Sequence, residues 1–187
     1  MVKHAICRPC PCACRSNRDV SCMLPLSITA QTVGQPSQRT WPVHRPRPAA
    51  FPDVPKNLIT ELERRGCTIP QPYTDRKSNV IRGEFARPGQ TDWAVLCSTQ
   101  GSTSLLVFLN GKETNSGVLA RIPDNPGRIF DWFIRPVGRK FIVGRYQAYG
   151  GPKPPPINHQ GIESGGETAS MVLYRYRGKW LTLQGSD

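Results

Sequence analysis

Carboxylates are scarce in this sequence. Its 187 residues hold 13 Asp and Glu against 25 Lys and Arg, a formal net charge of +12. Such a surplus suits anionic partners. Long apolar runs are missing as well. No window approaches the roughly 18 apolar residues of a membrane-spanning helix. Histidine is nearly absent, with His159 the single copy beyond residue 55. Four motifs do not occur: the phosphate-cradling glycine loop, the dinucleotide GxGxxG fingerprint, the HExxH zinc helix and the GxSxG nucleophile turn. The commonest enzyme signatures are therefore excluded.

What is abundant is unevenly spread. Nine of the 19 prolines and five of the seven cysteines fall before residue 56, with seven basic residues and two acidic ones. That stretch has no sustained period of 2 or 3.6, and its scattered apolar residues cannot offset the entropy of ordering it. Residues 1–54 read as a disordered Cys/Pro/Arg-rich tail, with an extended polyproline-like linker from Trp41. Residues 55–187 are long enough for a single β-rich domain. They carry 18 basic and 11 acidic residues.

Within the tail, residues 20–30 are mildly apolar and follow Arg15 and Arg18. Two readings stand: a degraded or mis-started export signal, with Met23 as an alternative start, or a coil segment without meaning. Cys7, Cys10, Cys12 and Cys14 lie close enough to hold a soft metal. A structural zinc site needs a second knuckle across folded chain, which only Cys22 could begin, so no metal or cofactor is assigned. Cys67 and Cys97 sit inside the expected fold. In an exported protein they would form a bridge; in a cytosolic one, two buried thiols.

Pro55, the stripe of Leu58, Ile59 and Leu62, the basic pair Arg64 and Arg65, and Gly66 spell one helix. Short apolar runs follow at 79–85, 92–98, 104–109, 117–122, 129–134, 140–146, 169–176 and 179–183. In the second, Trp93, Val95 and Cys97 alternate with Ala94 and Leu96, as in a strand buried on both faces. Asn110-Gly111 and Arg177-Gly178 read as hairpin turns. The expected class is α+β and β-rich: one N-terminal helix, then an antiparallel sheet or small barrel of about seven to eight short strands.

The run Gly83-Glu-Phe-Ala-Arg-Pro-Gly-Gln-Thr-Asp-Trp-Ala-Val-Leu-Cys97 resembles a segment of uncharacterised, apparently exported bacterial proteins. Residues 149–157, 161–163 and 178–187 match the same pattern, so the resemblance covers most of the body. It implies export and brings no activity. More remotely, Gly83, Phe85, Gly89, Asp92 and Trp93 are similar to a single FG-GAP repeat. With Asp92 as the loop's only carboxylate, calcium binding is not carried over.

Residues 150–166 are the candidate binding loop, with Lys153, His159 and Glu163 offering charge of both signs. The alternative is a rigid crossover between strands. Asp92-Trp93 reads as a strand start, its carboxylate capping amides and its indole packed, and no catalytic residue is assigned. Arg121, Arg128, Arg135, Arg139, Lys140, Arg145, Arg175, Arg177 and Lys179 accompany Phe130, Trp132, Tyr146, Tyr174, Tyr176 and Trp180. A sheet presenting these could stack bases, although a half-buried strand needs the same alternation. The leading expectation is a non-enzymatic exported binding or structural module, monomeric, with a basic surface for an anionic surface or polymer. The alternatives are a nucleic-acid-binding β domain and an enzyme using the loop 150–166.

Overall fold

The computed structural model describes residues 43–72, 77–124, 130–166 and 168–186. The cysteine cluster, the signal-like segment and Met23 lie outside the described residues.

Lys56–Arg64 form helix α1, with Pro55 before its first turn. Leu58 and Leu62, one turn apart, are fully buried. Gly66 adopts the left-handed conformation (φ +70°) that ends a helix at little cost for glycine. The Gly66 amide donates to Glu63 O (2.8 Å) and that of Cys67 to Leu62 O (3.0 Å), the paired bonds of a Schellman stop.

Among the described residues eight strands follow, in two antiparallel sheets. The first is a meander of β1 (Val80–Gly83), β2 (Asp92–Thr99), β3 (Ser102–Phe108) and β4 (Ser116–Pro123). The second runs β5 (Phe133–Val137), β6 (Gly161–Gly165), β7 (Ser170–Tyr176) and β8 (Lys179–Gln184). Helix α2, Arg139–Tyr149, lies between β5 and β6 in the chain. The protein is thus a β-rich α+β fold.

Three apolar clusters stack the layers. Trp93, Val95 and Cys97 of β2, with Leu106 and Phe108 of β3, pack under α1. On the opposite face, Ala94, Leu96, Leu105 and Val107 meet Ile134, Ile162 and Leu173 of the second sheet. Beyond that sheet, Val137, Val172, Tyr174 and Leu183 pack with Ile142 of α2. The order is helix, sheet, sheet, helix.

Side chains join the sheets where β1 and β5 come close. Asn79 is fully buried; its amide donates to Pro70 O (2.7 Å) and Trp132 O (3.0 Å), and its Oδ1 accepts from Ile134 N (3.1 Å). At the far end of β1, Gln160 Oε1 accepts from Glu84 N, and Gln160 N donates to Glu84 O, both at 3.0 Å.

Several expectations are corrected. The helix of residues 55–66 is not the only one, because residues 140–146 form most of α2 and no strand. Phe141, Ile142 and Val143 favour β structure by propensity, but Gly138 and Gly150 bracket a helical segment that covers the outer face of the second sheet. No barrel closes among the described residues: strand pairing stops at β1 and β5, where side chains bridge instead. Asn110-Gly111 does not make a two-residue hairpin. Two 3-10 turns, Leu109–Gly111 and Glu113–Asn115, carry β3 into β4. The Arg177-Gly178 turn does form, with positive φ at both residues joining β7 to β8. The folded body also begins upstream of Pro55, since Phe51 and Val54 lie in the cluster beneath α1.

Cys67 and Cys97, 30 positions apart in sequence, form a disulfide with Cα atoms 5.0 Å apart. It ties the stop of α1 to β2. Replacing both with alanine should lower unfolding stability by about 3–4 kcal/mol on the loop-entropy account. Urea denaturation checks this; an unchanged midpoint would refute it.

Candidate functional site

The three residues expected to share a binding loop are held apart. Lys153 is exposed. His159 is half-buried, its ring stacked on Tyr174 with centroids 4.3 Å apart. Its Nδ1 meets Gln160 O (2.9 Å) and its Nε2 meets Arg175 O (2.8 Å). The contact with Arg175 O ties the loop to β7, while that with Gln160 O stays within the loop. Glu163 is not in a loop at all: residues 161–165 are β6, paired on both sides, and its carboxylate is buried. Tyr174 adds to the pinning, its hydroxyl accepting from Asn158 N (3.2 Å) and donating to Pro156 O (3.3 Å).

Asp92, fully buried, anchors two loops. Its Oδ2 accepts from the amides of Phe85 and Ala86, both at 2.8 Å. Its Oδ1 accepts from Gln90 Nε2 (2.6 Å) and Asn110 N (2.7 Å). Four donors occupy the carboxylate. Trp93 packs under α1, Phe85 lies between the sheets, and Gly83 sits against the Phe85 ring and Gln160, where a side chain would clash. Gly89 lies in the exposed bend between β1 and β2.

Glu163 is committed in a similar way. Arg135 Nε bonds its Oε2, while Ser170 Oγ (2.6 Å) and Ser186 Oγ (3.0 Å) donate to its Oε1. Burial pushes this carboxyl up, but the bonds from Arg135, Ser170 and Ser186 outweigh it and hold it below its ordinary value. Nearby, an open cleft of about 560 Å³ is lined by Lys77, Ser78, Arg135 and Ser186 among others. A second, of about 470 Å³, lies beside the Arg45–Asp124 ion pair. Among the described residues no group of three or more His, Cys, Asp or Glu is placed to hold a metal ion.

The aromatics expected beside the arginines are mostly interior. Trp132 and Tyr174 are buried, the indole of Trp132 donating to Ser164 Oγ (2.8 Å). Phe130, Trp180 and Tyr176 pack against the clusters. A second set runs along α2 from the half-buried Phe141, which packs against the third cluster, to the exposed Tyr149. Phe141, Arg145 and Tyr149 follow one another at four-residue spacing, which α2 turns into neighbours on one face. The Arg145 guanidinium lies 5.2 Å from the Phe141 ring centre and 5.6 Å from that of Tyr149. Arg135 extends the series, 5.4 Å from Phe141 and 5.8 Å from Phe133. Arg139 and Lys140 stand exposed at the first turn of the helix.

The charge around this series has one sign. Residues 132–162 contain five Lys and Arg and no Asp or Glu. Only Arg135 among those five has an ion-pair partner within the described residues, the buried Glu163. Phe133, Phe141 and Tyr149 were invisible as site residues while 140–146 read as a strand. The carboxylate-free run was the available signal. Compared with protein-family models, curated proteins and solved structures, the chain matches none. The site rests on its own geometry.

Glu163 gives a pH dependence with a defined sign. A carboxyl held low in the fold contributes stability fully present above its ordinary value of 4.5 and lost as pH falls through the lowered one. Between neutral pH and about pH 3, wild type should therefore lose more thermal stability than Glu163→Gln. Parallel melting-temperature profiles for the two proteins would contradict this.

Proposed function

We propose that this protein is a non-enzymatic exported binding module whose second half docks on an anionic surface or polymer. The carrying observation is the carboxylate-free run over residues 132–162, displayed on β5, α2 and the loop after it. Cations in a stretch without carboxylates attract polyanions and speed their encounter. Glu163, the first carboxylate after the run, is buried and neutralised, so it does not oppose them. The rest of the described body mixes charges, with Glu61 bonded to Arg64 and Arg65 and Asp124 to Arg45.

Export is supported by the Cys67–Cys97 bridge, which suits an oxidising compartment. A monomer is supported by the outer edge of β4, blunted by a bulge between its contacts with Leu105 and Leu106, by Arg121 and by a terminal Pro123. The enzyme reading has less support, because Lys153, His159 and Glu163 do not converge.

The test is retention on an immobilised sulfated polymer. Wild type should bind at low salt and elute as ionic strength rises past about 0.1 M, where exposed charges become screened. The variant Arg139→Gln/Lys140→Gln/Arg145→Gln should elute at clearly lower salt. Equal elution of the two proteins would overturn the proposal.

A further inference from the structure

We propose that the cleft where the edge strands β1 and β5 meet is a binding site for a monocarboxylate with a compact apolar body. The site does not use the cations of α2 and goes beyond the polymer-docking reading.

Each of the two strands is the edge of its sheet, and neither pairs with the other. The open cleft beside them, about 560 Å³, lies within the size range of small-ligand sites. Its described lining has two parts. Val80, Ile81 and Phe133, all half-buried, and the buried Ile134 are apolar. Lys77, Ser78 and Arg135 supply hydrogen-bond donors. No carboxylate lines the cleft among the described residues. Asp131 packs on Gly166, which does line it, without itself reaching the lining.

Charge then selects the ligand. Arg135 gives its Nε to Glu163 Oε2, so its charge is already balanced by a buried carboxylate. Its two Nη groups have no hydrogen-bond partner among the described residues, and the side chain is 54% exposed. The Glu163 bond thus fixes the guanidinium and leaves its outer end to donate. Lys77 Nζ donates to Ala50 O (2.5 Å) and lies 5.6 Å from the Phe51 ring centre, which holds it in place. It makes no ion pair among the described residues. One uncompensated positive charge suits one negative charge, so a phosphate dianion would leave a charge unbalanced. A carboxylate matches, and its two oxygens fit the paired Nη donors. Val80 and Phe133, both partly in water, gain cover from the apolar body.

Two sources present this chemistry: a free organic acid and the C-terminal residue of a peptide. Val80 favours the second. The Leu96 amide donates to Asn79 O (2.9 Å), so alternation turns the amide and carbonyl of Val80 away from β2. A ligand with an amide beside its carboxylate can bond to them; a plain acid has no such group.

Isothermal titration of the whole chain tests this with N-acetylphenylalanine and its neutral amide. N-acetylphenylalanine should bind saturably, and the amide at least about tenfold more weakly. This comparison uses wild-type protein and so needs no variant to fold. Lys77→Gln, checked by circular dichroism, should weaken binding of the acid about tenfold. The Arg139→Gln/Lys140→Gln/Arg145→Gln variant should bind the acid within about twofold of wild type at physiological salt, where distant exposed charges are screened. Equal binding of acid and amide, an unchanged affinity in Lys77→Gln, or no saturable binding overturns the site. If benzyl phosphate binds more tightly than the acid, the monocarboxylate assignment fails. Hydrocinnamate, which lacks the amide, separates the sources: weaker binding supports a peptide end and equal binding a free acid, and either upholds the carboxylate site. Loss of acid binding with polymer retention intact strikes the cleft alone, and the reverse result strikes the α2 reading alone.

Discussion

A strand that is apolar on both sides must be covered twice, and β2 sets that requirement for the whole molecule. Its residues from Asp92 to Ser98 are all buried. One face takes α1 and the segment holding Phe51 and Val54; the other takes the second sheet. Covering the second sheet with a helix on its own outer face then completes the stack. The layer order follows from one doubly buried strand, since each open apolar face demands the next layer. The buried polar groups along the same path are satisfied. Asp92 takes four donors, and Asn79 bonds Pro70 on its own side and Trp132 and Ile134 across the seam. The stack therefore closes without an unpaired buried side-chain atom among the described residues.

Charge divides along the same lines as the layers. The first sheet and α1 mix signs, with ion pairs within the helix such as Glu61 to Arg64 and Arg65, whose carboxyl these bonds hold down at about 2. In the second half, Glu163 is sequestered in β6, and the cations of α2 face water without carboxylates between them. Burying this carboxylate beside a basic stretch does two things at once. It fixes Arg135 by its Nε, and it removes a repulsive charge from the outer surface.

Legibility in the sequence followed how local the cause of each element is. Helix α1 could be read because Leu58 and Leu62 keep the 3.6 period and Gly66 stops it. The β7–β8 hairpin could be read because Arg177-Gly178 suits positive φ at both positions. Helix α2 could not. Phe141-Ile142-Val143 prefers a strand by itself, and the need to cover Val172, Tyr174 and Leu183 comes from residues some thirty positions later. Strand β6 was hidden for a related reason: two glycines and a glutamate suggest a loop until Arg135 and Ser170 are seen to neutralise Glu163. The basic surplus was visible from composition, but its arrangement was not. Arg145 touches Phe141 and Tyr149 only when four-residue spacing means one helical turn.

Each sheet is drawn from one unbroken stretch of chain, residues 80–123 for the first and 133–184 for the second. Every ladder therefore joins strands that are neighbours in sequence, although α2 and its loop lengthen the β5–β6 connection. Such pairings close short loops at little entropic cost and form early. What remains is non-local: α1 and the segment before it dock on one face of the first sheet, and the two meanders meet on the other, with Asn79 and Gln160 as latches. The pace of folding is then governed by how two halves find each other, much as it would be for two partners joined by a tether.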